Sequence, residues 1–146
     1  MSPLDKDIIR RKLVVIIENL NALKPISCMT KDEYIEDIYK RKATERLLQE
    51  LTEAAIYINT HAIVQSGNPA PDDYYESFIT AGELNIISAG LSEKLAPSAG
   101  LRNRLVHEYD MLEHSMVLGA VRMAEELYPE YVNEVEKFLV PGYFES

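Results

Sequence analysis

Several classes of protein are closed to this chain of 146 residues by what it lacks. It has one cysteine, Cys28, so no internal disulfide can form and a cysteine-based metal site has no ligand set. Such usage fits a reducing compartment, and the expected location is the cytoplasm. No apolar run approaches the roughly 18 residues of a membrane-spanning helix. The start, Met1-Ser2-Pro3-Leu4-Asp5-Lys6-Asp7, lacks the basic stretch and apolar block of a secretory leader. Positive charge is scarce: 15 Lys and Arg face 24 Asp and Glu, for a net charge of −9. That balance disfavours a nonspecific grip on nucleic acid, which depends on neutralising phosphates. Any polynucleotide site must therefore be a local basic pocket. There is no internal repeat, low-complexity tract or linker. Alternating β-branched and aromatic runs between tight turns are also missing, so no sheet is expected.

What is present is helical periodicity on a composition of 47% hydrophobic and 27% charged residues, which suits one globular domain over residues 1–146. A first helix is expected after Ser2, with Pro3 at its first position. Its apolar stripe is Ile9, Leu13, Ile16, Ile17, Leu20 and Leu23, and Pro25 is expected to close it. Thr30 and Glu33 form a capping-box pattern that opens a second helix. Its apolar positions run through Ile35, Ile38, Leu47, Leu48, Leu51, Ala54, Ala55, Ile58 and Ala62 to a stop at Ser66-Gly67-Asn68-Pro69. Its length suggests a break near residues 39–42. Asp72 or Asp73 can cap a short helix over 74–81. Another is expected over 84–95, ended by Ala96-Pro97, with Ser98-Ala99-Gly100 as a connection. A last helix carries Leu112, Met116, Val117, Ala120, Met123, Ala124 and Leu127, with Pro129 kinking or restarting it before Tyr131, Val132, Val135, Phe138 and Leu139. The expected fold is all-α, an antiparallel up-and-down bundle of four to five main helices.

The segment Arg102-Asn103-Arg104-Leu105-Val106-His107-Glu108-Tyr109 stands out. Its spacing, Arg, four residues, His, one residue, Tyr, resembles the Arg-x4-His-x-Tyr motif of HepT-like toxins in the HEPN superfamily. The match extends to that family's Arg-Asn-x-x-Val-His-x-Tyr signature. Ala43-Thr44-Glu45-Arg46 and the run after it resemble the family's second long helix, and Tyr74-Tyr75-Glu76-Ser77-Phe78 its short middle helix. The likeness covers about residues 5–140. It implies a HEPN-like homodimer with both motifs facing one cleft. It also implies a toxin of a type VII-like toxin–antitoxin pair that cleaves RNA, with transfer RNA the expected substrate, as an endoribonuclease needing no metal. Its neutralisation is implied to be by an MntA-like nucleotidyltransferase antitoxin that transfers AMP onto the motif tyrosine, here Tyr109. The alternative reading is a non-catalytic HEPN partner of a nucleotidyltransferase.

Residue chemistry fits the catalytic reading. Metal-free RNA cleavage needs a group to take the ribose 2′-OH proton, one to protonate the leaving 5′-oxygen, and a cation for the phosphorane. An imidazole such as that of His107 can act as acid or base near neutral pH. Arg102 can grip a phosphate with paired, charge-assisted hydrogen bonds. Asn103 can orient His107 or bond a phosphate oxygen. Arg104, Lys40, Arg41, Lys42 and Arg46 are candidate RNA contacts, although such clusters are usually solvated faces. No cofactor is expected beyond AMP covalently attached to Tyr109. The carboxylates around His107 and His114 lack an H-E-x-x-H spacing, so no metal site is expected. His61 and His114 read as structural or solvated.

Helical geometry raises one difficulty. On an ideal helix Arg102 and His107 lie about 140° apart, whereas Arg102 and Tyr109 nearly superpose. Either Arg102 lies in a loop before the helix, or two copies of the chain complete the site across a two-fold axis.

Overall fold

Amphipathic helices account for most of the chain. The computed structural model describes residues 5–140, which form seven α-helices and one 3-10 turn, with no strand among the described residues. Three helices are long: α1 (Lys6–Ser27), α3 (Ile38–Gln65) and α7 (His114–Leu139). Four are short: α2 (Lys31–Glu36), α4 (Tyr74–Glu83), α5 (Ala89–Leu95) and α6 (Pro97–His107). The 3-10 turn, Tyr109–Met111, joins α6 to α7.

Cross-helix bonds give the directions. The Asp5 amide donates to His61 Nε2 at 3.2 Å near the end of α3, and Asn19 Nδ2 donates to the Leu47 carbonyl at 3.0 Å. Arg10 meets Glu136 at 3.9 Å, while Arg122 donates to the Met29 carbonyl at 3.3 Å. Hence α1 runs antiparallel to both α3 and α7, as an up-and-down bundle requires. The core between them is built from one apolar stripe per helix: Ile9, Leu13, Ile16, Leu20 and Leu23 from α1, Leu48, Leu51, Ala55 and Ile58 from α3, and Val117, Val121, Tyr131 and Val135 from α7. Each Leu or Ile buried this way contributes about 1.5–3 kcal/mol. Ile17 and Ile38, read as stripe members, are instead exposed.

Local signals explain most boundaries. The capping box forms as expected: Thr30 Oγ1 accepts from the Glu33 amide at 3.2 Å, and Glu33 Oε1 accepts from the Thr30 amide at 2.9 Å. Asp73 caps α4 by accepting from the Glu76 amide at 2.7 Å. Gly67 takes the left-handed conformation (φ 91°) just beyond α3, where the Asn68 amide donates back to the Ile63 carbonyl at 3.3 Å. Gly82 serves close packing. A Cβ there would stand 2.2 Å from Ser92 Oγ, so α4 and α5 touch where no larger residue fits.

Other boundaries differ from expectation. A start at Ser2 and Pro3 lies outside the described residues; within them, Asp5 caps α1 by accepting from the Ile8 amide at 3.0 Å. Pro25 does not close α1, which continues to Ser27. The missing Pro25 amide falls in the last turn, and burial of Ile26 outweighs it. The break in the second helix comes at Asp37, upstream of the expected window. Its backbone (φ −107°, ψ 93°) ends α2, and its carboxylate caps α3 by accepting from the Lys40 amide at 3.0 Å. Residues 84–88 are not helical: Asn85 adopts φ 59° and turns the chain, and Ser88 then caps α5. Ser98, Ala99 and Gly100 are not a connection. Pro97 starts α6 as its first residue and buried Ala99 holds that turn against the core. Pro129 does not restart α7, which is continuous through it. The residue is exposed, so water can satisfy the carbonyl one turn back.

Candidate active site

Because α6 is helical from Pro97 to His107, Arg102 lies in mid-helix rather than in a preceding loop, and that resolution of the geometry is overturned. Five positions apart on one helix, Arg102 and His107 are about 140° apart around it and about 7.5 Å apart along the axis. Tyr109 does not superpose on Arg102, because Glu108 (φ −131°, ψ 31°) ends α6 and Tyr109 opens the 3-10 turn. Thus one chain presents two faces: a mid-helix arginine and an exposed helix end.

The arginine face packs against α3 and α4. Arg102 Nη2 donates to Glu53 Oε2 at 2.8 Å, and Nε donates to the same oxygen at 3.2 Å. The other Glu53 oxygen accepts from Gln49 Nε2 at 3.4 Å, a pairing one turn apart on α3. The Arg102 guanidinium lies 4.9 Å from the ring centroid of Tyr74, in cation–π range. Asn103 is exposed, and its Oδ1 accepts from Arg102 Nη1 at 3.4 Å. Only 16% of the Arg102 side chain is exposed, against 36% for Glu53.

At the other face, His107 is the last residue of α6 and is exposed. Tyr109 is 59% exposed, and Lys42 Nζ lies 5.5 Å from its ring centroid. Arg104 turns elsewhere, its Nη1 donating to Met116 Sδ at 3.1 Å beside an apolar cleft of about 550 Å³ between α3, α6 and α7.

Of the basic residues read as RNA contacts, Lys42 is the one brought to Tyr109. Lys40 Nζ is 4.0 Å from Asp37, Arg46 Nε is 3.1 Å from Glu50, and Arg41 donates to the Ile35 carbonyl. His61 accepts from the start of α1 and stacks on Tyr57. His114 packs on Tyr34, with 5.9 Å between ring centroids. Both make packing contacts within the fold. Among the described residues no three His, Cys, Asp or Glu side chains are grouped to hold a metal ion.

Glu53 and Tyr74 were not singled out from the sequence. One signal was available: Glu53 interrupts the stretch Leu51-Thr52-Glu53-Ala54-Ala55-Ile56, whose other members are all buried. A carboxylate in such a place needs a cationic partner.

An all-helical antiparallel bundle with Arg-x4-His-x-Tyr running off the end of its penultimate helix defines a HEPN-class protein. The family model for "Ribonuclease HepT-like" matches residues 16–138, and the chain belongs to that family. Membership places it among the ribonucleases. It is 36% identical over 140 residues to the tRNA nuclease HepT of Aphanizomenon flos-aquae (strain 2012/KM1/D3), covering 96% of this chain and 95% of that protein. Among solved structures, the tri-AMPylated Shewanella oneidensis HEPN toxin in complex with MNT antitoxin aligns with a TM-score of 0.80 at 25% identity, over 90% of this chain and 98% of that one. The cytosolic protein of unknown function YutE from Bacillus subtilis matches with a TM-score of 0.82 at 14% identity, over 95% and 93% of the two chains. That last likeness concerns the fold alone.

Proposed function

We propose that this protein is the toxin of a toxin–antitoxin pair, an endoribonuclease whose site is assembled from Arg102 and His107 of two protomers. The reading rests above all on the divergence of those two side chains along one continuous helix. Two copies related by a two-fold axis bring the arginine of each toward the histidine of the other. The RNA's own 2′-OH then attacks the adjacent phosphorus. At each such centre His107 takes its proton and passes it to the leaving 5′-oxygen, and Arg102 of the other protomer stabilises the charge that develops on the phosphorane. The products are a 2′,3′-cyclic phosphate and a free 5′-hydroxyl. The step uses the 2′-OH as nucleophile, so DNA is not cut and no metal is consumed in the balance.

The relatives support the substrate and the regulation. One is named as a transfer RNA nuclease, and another is an AMPylated toxin held by its antitoxin. Tyr109 is the acceptor we assign for AMP: it is exposed, lies two positions after His107 in sequence and has Lys42 over its ring. Each AMP adds a bulky nucleoside and a negative charge. Two like charges about 4 Å apart repel by roughly 4 kcal/mol at an effective dielectric of about 20. A partner nucleotidyltransferase in the cytoplasm supplies the group. Among the described residues no helix is long and apolar enough to cross a membrane.

The test is direct. Unmodified protein, freed of AMP and checked by intact mass, should cleave transfer RNA in the presence of EDTA and leave a 2′,3′-cyclic phosphate. Full cleavage by His107→Ala would sink the assignment.

A further inference from the structure

We propose that Glu53, which accepts from Arg102 Nε and Nη2, is a positioning residue that decides which edge of the Arg102 guanidinium meets the scissile phosphate. The inference rests on the nuclease reading above and deepens it.

A guanidinium has five N–H donors and two edges suited to an oxyanion: one formed by Nε and an Nη, the other by the two Nη groups. In this protein the first edge is already taken. Nε and Nη2 both converge on Glu53 Oε2, at 3.2 and 2.8 Å. Tyr74 lies against the guanidinium at 4.9 Å and restricts its rotation about the side chain. Nη1 faces the exposed Asn103, 3.4 Å away. What remains for a phosphate is the outer end, with Nη1 and the second N–H of Nη2. The arginine therefore does not straddle the phosphate with its Nε edge, as an unrestrained arginine would be free to do.

Charge makes the arrangement informative. A carboxylate beside a phosphate-binding arginine weakens the attraction for RNA, and this protein already carries a net charge of −9. Glu53 is moreover held in its own turn: its second oxygen accepts from Gln49, so Gln49, Glu53 and Arg102 form a chain fixed to the rigid α3. Such support is what a transition-state contact requires. An arginine held in place needs no reorganisation when charge develops, and a displacement of about 1 Å can cost about 100-fold in rate.

Two readouts test this. In steady-state cleavage of a short RNA, Glu53→Ala should lower kcat by roughly 10- to 100-fold with KM within about threefold, because the aim of Arg102 matters most in the transition state. Glu53→Gln keeps an oxygen acceptor and should fall between Glu53→Ala and wild type. Melting temperature is recorded alongside: a purely structural ion pair would shift the melt and leave kcat of the folded protein unchanged, which would overturn the proposal. A rise in kcat/KM would overturn it as well, since Glu53 would then be a competitor for Arg102. The second readout is independent of catalysis. Nitrogen-15 relaxation of the Arg102 Nε–H should report a restrained guanidinium in the wild type and faster motion in Glu53→Ala. Equal motion in both would overturn the proposal. A wild type that cut no RNA would defeat the nuclease reading instead, while the relaxation measurement would still decide the restraint.

Discussion

Two tyrosines show the division of labour in this molecule. Tyr131, in the core, is wholly buried; its hydroxyl lies 2.7 Å from Asn59 Oδ1 and 3.1 Å from the Ala55 carbonyl. Tyr109, after α6, stands mostly in solvent under a lysine. Burial pushes the ionisation of Tyr131 well above 10.0, so its phenol is a fixed hydrogen-bond donor between α7 and α3. The same side chain outside the core keeps its hydroxyl reachable for chemistry. The lesson is that the bundle spends its long helices on rigidity and places its reactive groups where a helix stops.

Perturbing each region should sharpen that contrast. The largest effect belongs to the exposed end: His107→Ala should lower RNA cleavage by about 100- to 10,000-fold, the usual worth of a positioned acid or base, with an unchanged circular dichroism spectrum. In the core, Tyr131→Phe should leave Asn59 without its partner and cost about 1–3 kcal/mol, read by urea denaturation, with catalysis of the folded protein intact. Alkali should also act on the core. Burial pushes Tyr34 and Tyr128 up to about 12 from 10.0. These phenols keep their protons in the fold at pH values where the unfolded chain has lost them. Stability is thus fully present below pH 10.0 and falls as pH rises toward about 12, which a series of thermal melts would follow. Among the motif residues the smallest effect on cleavage is expected of Tyr109→Phe, with a rate within a few-fold of wild type. Its signature is resistance to AMP transfer by the partner nucleotidyltransferase, visible as an unchanged intact mass. Loss of cleavage in Tyr109→Phe, or collapse of the fold in His107→Ala, would erase the contrast between the two regions.

Much of this was legible in the chain, and the boundary of legibility is physical. Stripes at three and four residues, the Thr30–Glu33 box, the Asp73 cap and the Gly67 stop are local, and they appear where expected. Pro25 and Ser98–Gly100 misled because propensity yields to packing: Ile26 and Ala99 are buried, so the helices continue through residues that are poor helix formers alone. The motif could be found by its spacing, yet its geometry depended on whether 97–101 were helical. Glu53 and Tyr74 meet Arg102 from other helices, and no short-range pattern announces a contact across 49 residues of chain.

The opposed faces of α6 carry a consequence for dosage. If each working centre draws its arginine and its imidazole from separate molecules, activity at low expression scales with the square of protein level. A cell that makes a few copies before its antidote is ready is then shielded by dilution alone.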